Sequence, residues 1–140
     1  MSACVVDTHT LIWYVVNDQR LSSAAKTTIL NTAAAGDSVF VPAISLVEIV
    51  YLIEKGRFPQ ALLQRIIVTL NDPLRELKPV FLDENIAQTL QQIPRNIVPD
   101  MPDRIIAATA LHLNLPLVTA DHQIQASGIQ RFGDGIPLHV

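Results

Sequence analysis

The feature that most constrains the fold is a short apolar run that ends in an acid and leads directly into a helical pattern. Ala3–Val6 is apolar and stops at Asp7, and Thr8–Val16 is apolar nearly all round. The first segment has the length of a buried strand, and the second has that of a buried helix. A strand followed at once by a helix indicates a crossover connection to a parallel neighbour. The beginning of the chain therefore predicts an α/β fold.

The same alternation continues along the whole chain. The predicted strands are Ala3–Val6, Ser38–Val41, Glu76–Phe81 and Leu117–Thr119, with one last strand near Leu138. The predicted helices are Thr8–Val16, a segment from Ser22 or Ser23 to about Ala35, Ser45–Lys55, Pro59 to about Leu70, Asp83–Gln92, and Asp103–Leu113 after Pro102. Right-handed crossovers then give a three-layer sandwich, with a central parallel sheet of four to five strands and helices on both faces.

Length and composition restrict the organisation further. The 140 residues predict a single domain, residues 1–140, and the 49% of hydrophobic residues should leave apolar surface for self-association or a binding protein. No signal-peptide pattern opens the chain, and the apolar stretch Ala43–Ile53 is too short to span a bilayer, so we expect a cytoplasmic protein without a membrane partner. The net charge of −3 argues against a generally basic nucleic-acid-binding surface, so any nucleic acid should be held locally or through metal ions.

Four of the acidic residues lie in apolar surroundings, where a carboxylate without a partner is costly. They are Asp7, Glu48, Asp103 and Asp121. Each also has a simpler interpretation. Asp7 and Asp121 could cap the segments that follow, and Asp103 would lie in the first turn of a helix. Glu48 could complete a capping box with Ser45.

Together, the four acids favour a functional interpretation. Helix starts follow strand ends in a parallel sheet, so the four carboxylates should converge on one edge, where they would repel one another. Oxygen ligands of this kind suit Mg²⁺ or Mn²⁺. Enzymes that hydrolyse phosphodiesters commonly use a divalent metal, bound by carboxylates, to activate the attacking water.

At this point four blocks of residues resemble the PIN-domain nucleases, and in pattern the VapC-type toxins of toxin–antitoxin pairs. The blocks are Val5–Trp13, Ser45–Ile49, Pro99–Ala110 and Leu115–Asp121, and they span essentially the whole chain. The third block, with Asp-x-x-Asp-Arg before an Ala/Thr-rich helix, is the most specific. The resemblance implies a PIN-like sandwich and an Mg²⁺- or Mn²⁺-dependent endoribonuclease that leaves 5′-phosphate and 3′-hydroxyl ends. It also implies a homodimer and inhibition by a cognate antitoxin protein.

The resemblance also implies roles for particular residues. Asp7, Glu48 and Asp103 correspond to direct or water-mediated metal ligands, and Asp121 to a more variable acid that acts through water. Thr119 corresponds to a hydroxyl that orients the ligands.

Two further residues are left with open alternatives. Asp100 is either an extra metal-binding acid or a helix cap. Arg104 is either a phosphate clamp or a charge partner for Asp103 or Asp100.

Other functions and roles fit the sequence less well. A phosphatase of the haloacid-dehalogenase type needs a second Asp at the position of His9, and the glycine patterns of Rossmann and P-loop proteins are absent. A catalytically weak PIN-like module that binds RNA or protein is the remaining alternative, although all four acids are present. His9 is a poor candidate for a general base, because metal-activated water needs none. Trp13 and Tyr14 are expected to serve as core or dimer contacts.

Overall fold

The computed structural model describes residues 3–120, together with the backbone of two short strands at 131–132 and 136–137. The strands are β1 (Cys4–Val6), β2 (Val39–Pro42), β3 (Leu77–Val80), β4 (Leu117–Val118), β5 (Arg131–Phe132) and β6 (Ile136–Pro137). The helices are α1 (Thr8–Val16), α2 (Ser23–Ala34), α3 (Ile44–Glu54), α4 (Gln60–Leu70), α5 (Glu84–Thr89) and α6 (Met101–Leu113). A single 3₁₀ turn, Leu90–Gln92, follows α5 directly.

The central sheet has four parallel strands in the order β3-β2-β1-β4. Val5 lies opposite Phe40 on one side and Leu117 on the other, so β1 is an interior strand. The predicted parallel sheet is confirmed. The last predicted strand appears as β6, which pairs antiparallel with β5 in a separate ribbon, while Leu138 itself lies outside the described residues.

Helices cover both faces of the sheet, because successive strand side chains point to opposite sides. Cys4 and Val6 belong to a core cluster that includes buried side chains of α1, α2, α3 and α4. Val5, between them, belongs to a second cluster with α5 and α6. The predicted three-layer sandwich is therefore correct, and its two cores explain why β1 has no polar residue.

Two helix starts differ from the predictions. The helix α6 begins at Met101, two residues early, because Asp100 caps it by accepting a hydrogen bond from the Asp103 backbone N–H at 3.2 Å. The helix α3 begins at Ile44 after Ala43, with no side-chain cap. The capping-box interpretation of Glu48 is therefore wrong.

Left-handed residues end several helices as the sequence indicates. Asn114 ends α6 with φ 57°, and Gly56 follows α3 with φ 76°, a conformation that costs glycine little. No helix in the described part of the chain is long and apolar enough to cross a membrane.

The strand order locates the place where a ligand would bind. From β1 the chain moves outward through β2 and β3, and then returns to the other side of β1 as β4. Ligands of open α/β sheets bind beyond the carboxyl ends of the strands at such a reversal. Asp7 follows β1 at this point, and Thr119 follows β4.

Candidate active site

Asp7 is held at the carboxyl edge of the sheet by two hydrogen bonds. Its Oδ1 accepts from the Thr10 backbone N–H at 3.0 Å and thereby caps α1. Its Oδ2 accepts from the Thr119 hydroxyl, which comes from the end of β4. Asp7 can therefore be both a helix cap and a site residue, because Oδ1 accepts the hydrogen bond that caps α1 and Oδ2 accepts the one from Thr119.

The buried position of Asp7 changes its electrostatics. Only 7% of the residue is exposed. Burial raises the pKa of this carboxyl, and the hydrogen bonds from Thr10 and Thr119 oppose the rise without cancelling it. The ionised form of Asp7 is therefore unfavourable in the folded protein unless a cation is bound beside it.

Glu48 enters the same region from α3 and is fixed by Thr8. The Thr8 hydroxyl donates to Glu48 Oε1, and the Thr8 oxygen also lies 2.9 Å from Ser45 Oγ, so two buried hydroxyls support the acid. Burial is the main cause that raises the pKa of Glu48, and the negative charges of Asp100 and Asp7 raise it further.

The start of α6 supplies two more carboxylates. Asp100 is exposed and caps the helix, while Asp103 lies in its first turn and is half-buried. Carboxylate oxygens of Glu48, Asp100 and Asp103 all lie within 4.8 Å of one another. Asp100 is therefore a helix cap and a member of the acidic cluster at once.

These acids open into one cavity of about 480 Å³, which we call the acidic cavity. Its lining consists of Asp7, Thr8, His9, Trp13, Glu48, Asp100, Asp103 and Ala120. Four of the five predicted acids thus line one space, contributed by the start of α1, by α3 and by the start of α6. Asp121 lies outside the described residues, although its neighbour Ala120 belongs to the lining.

The structure does not place Arg104 among the residues that line the acidic cavity. Its Nη2 donates to the backbone carbonyls of Leu90 at 2.9 Å and Ile93 at 3.0 Å. Arg104 thereby ties α6 to the 3₁₀ turn. Neither role suggested by the sequence, a phosphate clamp or a charge partner for Asp100 or Asp103, is supported.

Both aromatic residues of α1 pack against the first core cluster, as the sequence predicted, and Trp13 also reaches the cavity. Trp13 is half-buried, lines the acidic cavity and has its ring centroid 5.7 Å from that of exposed His9. Tyr14 donates from its hydroxyl to Glu76 Oε2 and packs against the first core cluster.

The donor set fits a hard divalent cation. Its four side chains offer carboxylate oxygens, which Mg²⁺ and Mn²⁺ prefer. The two ion pairs between described residues, Arg20–Asp18 and Arg75–Glu76, involve none of Asp7, Glu48 and Asp100. The charge of the neighbouring His9 opposes the rise in the pKa of Glu48 but does not cancel it.

Comparison with known proteins assigns the fold to a family. A family model described as PIN domain matches residues 4–128, most of the chain. This chain belongs to the PIN-domain family. The PIN domain is 29% identical over 126 residues to Ribonuclease VapC22 of Mycobacterium tuberculosis, which covers 90% of this chain and 92% of that protein.

Solved structures share the same fold at low sequence identity. VapBC2 of Rickettsia felis, bound to a DNA fragment from the promoter, has a TM-score of 0.67 at 13% identity and covers 98% of this chain and 97% of that chain. FitAcB of Neisseria gonorrhoeae has a TM-score of 0.59 at 19% identity, with 98% and 96% covered. A toxin–antitoxin complex of Klebsiella pneumoniae has a TM-score of 0.57 at 21% identity, with 90% and 92% covered.

Sequence reasoning missed Thr8 as a site residue of this PIN domain. The available signal was the pair of hydroxyl residues placed beside acids, Thr8 after Asp7 and Ser45 one helical turn before Glu48. A hydroxyl in a buried helix needs a partner, and a nearby acid is an obvious one.

Proposed function

We propose that this PIN domain is a divalent-metal-dependent endoribonuclease that acts as the toxin of a toxin–antitoxin pair. The single observation that carries the proposal is the acidic cavity, in which carboxylates of Glu48, Asp100 and Asp103 lie within 4.8 Å of one another beside Asp7. The family assignment and the likeness to a ribonuclease support it.

In this proposal the acids bind the metal, and two threonines orient the acids. Glu48, Asp100, Asp103 and Asp7 would hold Mg²⁺ or Mn²⁺, and Asp121 would be a further acid that acts through water. When bound, the metal supplies positive charge to the scissile phosphodiester and acidifies the attacking water. Thr119 fixes Asp7, and Thr8 fixes Glu48, so both acids are oriented before a metal binds.

The proposal extends to partners and location. The structural neighbours include a toxin–antitoxin complex of Klebsiella pneumoniae and VapBC2 of Rickettsia felis, and they support a cognate antitoxin as the protein partner. RNA is the substrate, the homodimer is the functional state, and the cytoplasm is the compartment. Light scattering of the purified protein tests the dimer, and a monomer at high concentration would contradict it.

Cleavage of a mixed RNA pool by antitoxin-free protein tests the enzymatic part. We expect cutting with Mn²⁺, none with EDTA, and a loss of at least about a hundredfold in rate for Asp103→Asn. The matched control is Asp83→Asn. Asp83 is an exposed cap that accepts from the Ile86 backbone N–H at 2.9 Å, and Asn caps equally well.

RNA binding without any cutting by folded protein would favour the catalytically weak binding module instead. Cutting that Asp103→Asn leaves unchanged would contradict the proposal in a different way, because the chemistry would then lie outside the acidic cavity.

A further inference from the structure

A second depression adjoins the acidic cavity and is chemically different. This side groove, of about 390 Å³, shares Thr8, His9 and Glu48 with the cavity and then continues along the outer side of α3. Its volume lies in the range of ligand-binding pockets. A molecule seated at the carboxylates could therefore extend into the side groove without leaving the protein surface.

The walls of the side groove are mostly apolar and exposed. Val47 and Tyr51 come from α3 and Met101 from the start of α6, and Tyr51 is 60% exposed. Large exposed apolar side chains that lie together commonly mark a binding surface. Lys55 also lines the groove, directly after the last residue of α3 and four residues after Tyr51.

The charge of the chain favours RNA contacts that are local rather than spread over the surface. The net charge is −3, and the cavity that would receive the phosphate is itself lined by acids. Proteins that bind single strands commonly combine a cation for the backbone with an exposed aromatic ring on which a base stacks. Tyr51 and Lys55 provide this pair directly beside the acidic cavity.

We propose that the side groove holds one nucleobase of the RNA strand whose phosphate lies at the carboxylates. The base stacks on the Tyr51 ring, and the Lys55 ammonium contacts the phosphate of the same or the next nucleotide. The inference rests on the proposed ribonuclease function and adds a substrate subsite to it.

Binding and cleavage are measured separately to test the subsite. Binding uses a fluorescent mixed-sequence single-stranded RNA and the Asp103→Asn background, in which the RNA stays intact. We expect Tyr51→Ala to raise the Kd roughly 5- to 150-fold, the equivalent of one lost stacking contact. Tyr51→Phe keeps the ring and should restore most of the affinity. Leu74→Ala is the surface control, because Leu74 is 93% exposed and lies at the opposite, amino edge of the sheet.

RNA probes with a single abasic residue at successive positions locate the base. In the protein that retains Tyr51, an abasic residue at one position beside the cleaved bond should raise the Kd for the RNA. For RNA with the abasic residue at that position, Tyr51→Ala should raise the Kd no further. Unchanged binding by Tyr51→Ala would overturn the proposal. A conversion from dimer to monomer by Tyr51→Ala, seen by light scattering, would overturn it too, because a second copy would then fill the groove.

The two proposals fail in different ways. RNA that wild-type protein binds in a Tyr51-dependent manner but does not cut would end the ribonuclease proposal and leave the subsite. RNA that is cut with equal kcat/KM by wild type and Tyr51→Ala would end the subsite and leave the ribonuclease.

Discussion

Replacing Asp7 by Asn is expected to stabilise the metal-free protein. Asn keeps both contacts that Asp7 makes in the structure, because its Oδ1 can accept from the Thr10 backbone N–H and its amide can donate to the Thr119 hydroxyl. The substitution removes only the charge, and burial makes that charge unfavourable by raising the pKa of Asp7.

The pH dependence follows from the direction of this pKa change. Between the ordinary pKa of the unfolded chain and the raised pKa of the folded state, the folded protein binds more protons at Asp7. The free energy of unfolding therefore falls as pH rises through that window. We expect Asp7→Asn to recover about 1–3 kcal/mol above the window, the usual cost of a poorly compensated buried polar group. In a domain of this length the gain raises Tm by roughly 3–10 °C.

Thermal unfolding in EDTA checks this expectation. Asp7→Asn should melt above wild type at alkaline pH, and the difference in Tm should shrink as the pH falls and wild-type Asp7 gains its proton. Mn²⁺ should raise the wild-type Tm more than that of Asp7→Asn, because the variant lacks one ligand. Asp83→Asn should match wild type in both respects. A lower Tm for Asp7→Asn in EDTA would refute the reasoning, because the ionised carboxylate would then stabilise the fold.

Three further predictions concern single contacts. Thr119→Val removes the hydroxyl that fixes Asp7 and should weaken Mn²⁺ binding roughly 10- to 100-fold by calorimetry, so an unchanged Kd would contradict the orienting role. Arg104→Met loses two hydrogen bonds to backbone carbonyls and should lower the free energy of unfolding in urea by about 1–3 kcal/mol, while a loss of cleavage at full folding would indicate a substrate contact instead. Cys4 is buried with its pKa raised to about 11, so iodoacetamide should modify it only as the protein unfolds, and rapid labelling of native protein would contradict this burial.

Much of the fold could be predicted because local signals and global topology agree. The strands β1, β2 and β4 are short apolar runs, and helix-stop residues such as Asn114 and Gly56 follow the helices. Acids that follow parallel strands or begin the next helices meet at one edge of the sheet, so Asp7 and Asp103 could be assigned to a common site before any coordinates.

The remaining features depend on tertiary contacts that local patterns do not contain. The carbonyls that accept from Arg104 belong to a turn that packing brings to α6, so no adjacent residue signals the partner. Glu48 has the spacing from Ser45 that a capping box requires, but α3 begins at Ile44, one residue before Ser45. The Glu48 carboxylate instead accepts a hydrogen bond from the Thr8 hydroxyl. The side groove arises where the outer face of α3 meets the start of α6, and neither segment indicates a groove by itself.

The hydrogen bond between Asp7 and Thr119 joins residues 112 positions apart, and the strand pair that supports it is equally distant in sequence. Contacts of such long range form late in folding, because the intervening chain must first be collapsed. During synthesis the first strand leaves the ribosome long before its final neighbour exists. We expect a nascent chain to remain unable to bind Mn²⁺ tightly until residues through Thr119 have emerged, which a series of stalled chains of increasing length would reveal. The order of translation would then delay the hydrolase activity until the sheet is closed.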